Sequence, residues 1–145
     1  MNLNSKVAIV TGASSGIGKA FSESLVKKGT IVYGLARSKD KLKAIQKELG
    51  DHFKPVSLDI TDSSAVDSWV EQTFSQNHLP DVLVNNAGLG YFGNVDDLPL
   101  EQWDAMMNTN LSGVFYITRK VVPLMKDNDS VCHIVNIASV AGLMG

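Results

Sequence analysis

Val7-Ala8-Ile9-Val10 runs directly into Thr11-Gly12-Ala13-Ser14-Ser15-Gly16-Ile17-Gly18. The apolar run predicts a buried strand, and the segment from Gly16 onward opens a helical pattern in which Ile17, Phe21 and Leu25 recur every four residues. A strand, a glycine turn and a helix in that order form a cradle for a dinucleotide pyrophosphate, because the first amides of the helix point at the phosphates. Each glycine has a separate task. Gly12 lets the chain turn sharply out of the strand, Gly16 removes a side chain where the pyrophosphate approaches, and Gly18 allows close packing of helix on sheet. Ser14 and Ser15 add hydroxyl donors. The spacing is Gly-x-x-x-Gly-x-Gly, not the commoner Gly-x-Gly-x-x-Gly.

Working outward, apolar runs recur at residues 31–35, 56–60, 82–84 and 131–137. They are short, rich in Val and Ile, and mostly continuous, as strands buried on both faces are. Helical patterns separate them. Lys27-Lys28-Gly29 gives the first helix a cationic end and a glycine stop. Ser38 can cap a helix carrying Leu42, Ile45 and Leu49 that stops at Gly50. Thr61 or Asp62 can cap the next, with Val66, Trp69, Val70 and Phe74 facing inward. The longest helical pattern spans about residues 99–125, and Pro123 is expected to kink or end it. The alternation predicts an α/β fold, a Rossmann-like doubly wound parallel sheet with five strands in the order 3-2-1-4-5. Ligands then bind at the carboxyl ends of the strands, where the glycine-rich loop 88–93 also lies.

Length and composition set bounds. The 145 residues suit one domain, here read as a dinucleotide-binding domain over residues 1–145. A hydrophobic content of 44% and a charged content of 19% fit an ordinary globular chain. The net charge of −2 gives no argument for a nucleic-acid partner. Cys132 is the single cysteine, set in an apolar run, and reads as a small buried filler. The first residues, Met1-Asn2-Leu3-Asn4-Ser5-Lys6, show no signal-peptide core, and no apolar run approaches the ~18 residues that span a membrane. A cytoplasmic protein without membrane partners is expected. His52, His78 and His133 are scattered without ligand spacing, so no metal site is expected. Trp69 and Trp103 are expected in the core, and Asn85 as a tie between neighbouring strands.

Five motifs in register carry a resemblance. Thr11 to Gly18, Leu58-Asp59-Ile60, Asn85-Asn86-Ala87-Gly88, Asn108-Thr109-Asn110-Leu111 and Asn136-Ile137-Ala138-Ser139 stand in the order and spacing of the short-chain dehydrogenase/reductase family. The chain resembles that family over essentially its whole length. The resemblance implies an oxidoreductase that moves hydride between a nicotinamide and a carbonyl or secondary alcohol. It implies that Gly12, Ser14, Ser15, Gly16, Ile17 and Gly18 line the pyrophosphate. Asp59 and Ile60 would meet the adenine edge, with Asn86, Ala87 and Gly88 passing beside the adenine ribose. Asn110 would position a water in a proton relay, and Ser139 would hydrogen-bond the substrate oxygen. A homo-oligomer, dimer or tetramer, with the long helix in an interface, is also implied.

NAD-preferring members of the family typically end the second strand with an acidic residue. Here Tyr33-Gly34-Leu35-Ala36-Arg37-Ser38 holds no carboxylate, and the Arg37 guanidinium suits a 2′-phosphate in charge and fork geometry. NADP(H) is therefore the preferred cofactor, with NAD(H) the lesser alternative.

The family's Tyr-x-x-x-Lys element follows its serine by roughly a dozen residues, and these 145 residues stop at Gly145, before that point. Tyr116-Ile117-Thr118-Arg119-Lys120 fits the pattern literally but precedes Ser139, on the helix Asn110 already marks. Tyr116 is expected at a helix interface and Lys120 in solvent. Met144-Gly145 offers neither cap nor polar tail, so the sequence reads as the N-terminal part of a longer chain, inactive alone. The alternative is a non-catalytic nucleotide-binding or regulatory module. Substrate identity is beyond these residues.

Overall fold

A computed structural model describes residues 2–75 and 78–140. Five parallel strands form one sheet in the order β3-β2-β1-β4-β5: β1 (Val7–Thr11), β2 (Ile31–Ala36), β3 (Phe53–Ser57), β4 (Val82–Asn85) and β5 (His133–Asn136). Helices α1 (Gly16–Val26), α2 (Lys39–Leu49) and α3 (Ser63–Thr73) connect them, followed by α4 (Leu100–Met107) and α5 (Val114–Lys126). The expected order 3-2-1-4-5 is therefore present. The order reverses beside β1, and the crevice at that switch point is where such sheets hold ligands.

Alternation along β1 builds two cores. Val7 and Ile9 face Val66, Val70, Leu83, Ile117 and Val121, beneath α3 and α5. Ala8 and Val10 face Leu25, Val32, Leu42, Ile45 and Phe53, beneath α1 and α2. The central strand is apolar without alternation because both faces are covered. At the opposite, N-terminal end of the strands, Asp81 is buried and accepts from the Val7 amide (2.9 Å), Lys6 Nζ (2.9 Å) and Ser130 Oγ (2.5 Å). Burial pushes its carboxyl up, but the Ser130, Val7 and Lys6 donors outweigh this and hold it below the ordinary carboxylate value.

Several local expectations need correction. The third strand is Phe53–Ser57 rather than 56–60. Phe53 is fully buried beneath Gly34, where an added Cβ would strike its ring, and Pro55 is tolerated because β3 is an edge strand. Leu58-Asp59-Ile60 thus follows the strand. The fifth strand is His133–Asn136 rather than 131–137, limited by the four residues of β4 it pairs with. The long helical pattern, expected over about residues 99–125, runs to Lys126, so Pro123 lies inside α5 and does not end it. It is also interrupted by a π-turn, Asn108–Gly113, between α4 and α5. Ile17 is 57% exposed, because the first turn of α1 overhangs the crevice. Trp103 is 51% exposed on α4, so it is not a core residue, whereas Trp69 packs edge-on against Tyr33 and Phe74.

The expected cap of α3 and the two glycine stops are present. Asp62 caps α3, accepting from the Ala65 amide at 3.0 Å. Gly29 and Gly50 end their segments at φ +81° and +74°. Cys132 is half-buried, and burial, helped by the nearby Asp81 charge, pushes its thiol up. Lys120 is not simply solvated: it pairs with Glu71 (2.8 Å) while Arg119 grips Asp67 (2.7 Å), tying α5 to α3. The expectation attached to Met144-Gly145 lies outside the described residues.

Candidate functional site

A cleft of about 780 Å³ opens at the carboxyl ends of β1, β2 and β4. Its first wall is the turn out of β1, where Gly12, Ser14, Ser15, Gly16 and Ile17 face it. Gly12 adopts φ +66°, a left-handed conformation, and a Cβ there would stand 2.9 Å from the Ala87 Cα. A Cβ on Gly16 would meet nothing within 4 Å, so the space beside it is open. Gly18 does not line the cleft. It lies beneath the turn, where an added Cβ would collide with the Gly12 carbonyl oxygen and the Asn86 side chain. The three glycines thus serve a turn, an open approach and a close packing contact.

The second wall follows β4. Asn86, Ala87 and Gly88 line the cleft, and their placement depends on Thr11. The buried Thr11 Oγ1 accepts from the Asn86 amide (3.0 Å) and the Ala87 amide (2.9 Å). Asn86 Nδ2 donates to the carbonyls of Thr11 (3.0 Å) and Gly12 (3.3 Å). These bonds staple the end of β4 to the turn after β1 across the switch point. Asn85 is the expected strand tie, donating to Asn136 Oδ1 (2.8 Å) and Thr118 Oγ1 (3.2 Å).

The far corner is formed by the ends of β2 and β3. Arg37 lines it, as do Asp59 and Ile60. The Asp59 carboxylate accepts from the Thr61 amide (2.9 Å) and hydroxyl (2.8 Å), which shapes the bend after β3. Sequence reasoning passed over Ser38, Lys41 and Thr109 as cleft residues. Lys41 has a legible signal only in its position, four residues after Arg37 in the first turn of α2.

Asn110 and Ser139 do not line this cleft. Asn110 sits in the π-turn and clamps Leu89 in both directions, Oδ1 accepting from its amide (2.9 Å) and Nδ2 donating to its carbonyl (2.8 Å). It thereby fixes the start of loop 88–93. Ser139 is exposed beyond the end of β5. Tyr116 and Lys120 lie on α5, with Lys120 engaged by Glu71.

A dinucleotide fits what these residues offer. The cleft has the volume of a small-molecule site. It has an open glycine at a helix N-terminus and an arginine at its far corner.

Comparison with known proteins agrees. A family model described as short chain dehydrogenase matches residues 6–145. The 3-oxoacyl-(acyl-carrier-protein) reductase FabG of Escherichia coli K12 is 38% identical, aligned over 100% of this chain and 59% of its own length. A 3-ketoacyl-(acyl-carrier-protein) reductase from Brucella melitensis, solved with NADH, superposes with a TM-score of 0.90 at 36% identity, covering 96% of this chain and 59% of that one. A serine dehydrogenase solved with NADP+ gives 0.89 at 32% identity, covering 94% and 55%. The chain therefore spans about three-fifths of the length of these relatives. No described helix is long and apolar enough to cross a membrane. From glycine turn to Asn110, the matched residues and their geometry make this chain a member of the short-chain dehydrogenase family.

Proposed function

We propose that this chain is the dinucleotide-binding part of an oxidoreductase that uses NADP(H) in preference to NAD(H) and acts on a small carbonyl or secondary alcohol. The observation that carries the reading is the cleft itself. An open glycine turn lies at one end and Arg37 at the other, with no carboxylate at the end of β2. A bound nicotinamide would supply or accept hydride at the substrate carbon. The residues of this chain would bind and orient. The amides and hydroxyls of Ser14, Ser15 and the first turn of α1 meet the pyrophosphate. Asp59 and Ile60 border the adenine, and Asn86, Ala87 and Gly88 border its ribose. Gly18 and Ile17 set the pitch and rim of the turn. Arg37 takes the 2′-phosphate as a fork.

Ser139 would hydrogen-bond the substrate oxygen, and Asn110 would hold the loop and a relay water. Relatives solved with NADP+ and with NADH support a nicotinamide cofactor. Leu100, Trp103, Met107, Leu111 and Phe115 leave an exposed apolar stripe along α4, the π-turn and α5, which supports a homo-oligomer meeting through that face.

The experiment is a fluorescence titration with NADPH and NADH. Arg37→Ala should weaken NADPH by about tenfold or more and leave NADH nearly unchanged. Equal losses would overturn the Arg37 assignment. Because Tyr-x-x-x-Lys does not follow Ser139 within these residues, the 145-residue polypeptide alone should bind cofactor without turnover. NADPH oxidation above background, across a panel of ketones and aldehydes, would contradict this.

A further inference from the structure

We propose that Lys41 is a second specificity-determining residue, acting with Arg37 as a two-cation grip on the cofactor's 2′-phosphate. The inference rests on the NADP(H) reading above. Lys41 lines the same cleft as Arg37 and Ser38, and it does so from the first turn of α2, the element that follows Arg37. Lys39, on the same turn, does not line the cleft. Among the described residues, no ion pair engages the side chain of Arg37 or Lys41, whereas Lys6, Lys19, Arg119 and Lys120 are each held by a carboxylate. Ser38 occupies the N-cap position of α2, yet its hydroxyl makes no capping bond. Two cations and a hydroxyl thus line the cleft just beyond the end of β2 without being spent on the fold.

Charge explains the need for the second cation. A phosphate monoester carries roughly −1.5 to −2 at neutral pH and offers three acceptor oxygens. One guanidinium satisfies two oxygens in a fork and leaves charge uncompensated. An ammonium on a flexible stem supplies a point charge to the remainder. The one carboxylate lining the cleft, Asp59, is turned to the Thr61 amide and hydroxyl through Oδ1, and among the described residues no ion pair joins it to Lys41. NADH has no 2′-phosphate, so Lys41 contributes to discrimination rather than to dinucleotide binding in general.

The test uses the 145-residue chain with NADPH and NADH as probes, and 2′,5′-ADP against 5′-AMP as competitors. Lys41→Ala should weaken NADPH and 2′,5′-ADP by about five- to tenfold while changing NADH and 5′-AMP less than about twofold. Lys41→Arg should restore most of the loss, and Lys39→Ala should leave all four ligands unchanged. The Lys41 effect should also shrink as salt rises. If Arg37→Ala abolishes the NADPH preference but Lys41→Ala behaves like Lys39→Ala, the Lys41 assignment is overturned and the cofactor reading stands. If the unmodified chain binds NADH as tightly as NADPH, or binds neither, both fall.

Discussion

Replacing Thr11 by valine removes the staple across the switch point while keeping the side chain's shape. Thr11 is 1% exposed, and its Oγ1 accepts from two backbone amides, those of Asn86 and Ala87, at 3.0 and 2.9 Å. It donates only a long bond, 3.4 Å, to the Val84 carbonyl. Valine is at least as good a strand former, so propensity does not penalise the change. The cost is two part-buried amides left without an acceptor, about 1–2 kcal/mol each at the lower end of the usual range, or about 2–4 kcal/mol in all. Against a total stability of about 5–15 kcal/mol, this is large. In a chain of this size it lowers Tm by roughly 6–12 °C. Urea denaturation and thermal melting measure it directly. Thr11→Ser keeps the oxygen and loses one methyl, at a cost of about 1 kcal/mol. Dinucleotide affinity should fall with Thr11→Val and hold with Thr11→Ser, because Asn86 and Ala87 line the cleft. A valine variant as stable as the parent, or a serine variant equally damaged, would show that the Thr11 hydroxyl does not hold the two strands' ends together.

Two other perturbations have defined outcomes. Asn110→Ala removes both bonds to Leu89, so the Leu89 amide should exchange with solvent about tenfold faster or more, while the amides of β1 keep their protection. Unchanged exchange at Leu89 would show that the clamp does not hold the loop. Asp81 has a folded-state pKa below its unfolded value, so its stabilisation is present above about pH 4 and lost as pH falls through the folded value. Denaturation curves at neutral and acid pH should show Asp81→Asn less stable than the parent at neutral pH and less sensitive to acid. Parallel curves for the two proteins would remove Asp81 from the acid response.

Much of the fold is legible because β1, β2 and β4 announce themselves by short branched apolar runs, and α1 and α2 by the glycines that follow them. Gly12 and Gly18 are legible for the same reason that they are needed, because a Cβ at either would collide with its neighbours, and Gly16 because its φ of +51° favours glycine. What escapes is long-range. Phe53-Lys54-Pro55 looks like a loop until Gly34 is seen to make room for the phenylalanine ring. The role of Thr11 depends on amides some 75 positions away in the chain. The π-turn leaves no periodicity signal, because a single widened turn does not disturb the apolar spacing enough to be read. Trp103 misleads because an exposed tryptophan on a helix has the same local pattern as a buried one. Lys41 has only its spacing from Arg37 to mark it, being one of several lysines on α2 until the cleft singles it out.

The proposed occupant of the cleft between the turn after β1 and the ends of β2, β3 and β4 is a nicotinamide dinucleotide phosphate. Its most direct test is a titration of nitrogen-15-labelled chain with NADP+, followed by amide chemical shifts. Saturable shifts are expected at Ser14, Ser15, Gly16, Arg37, Asp59, Ala87 and Gly88, with the far end around Asp81 and Ser130 undisturbed. Shifts confined to that far end, or none at saturating NADP+, would contradict it.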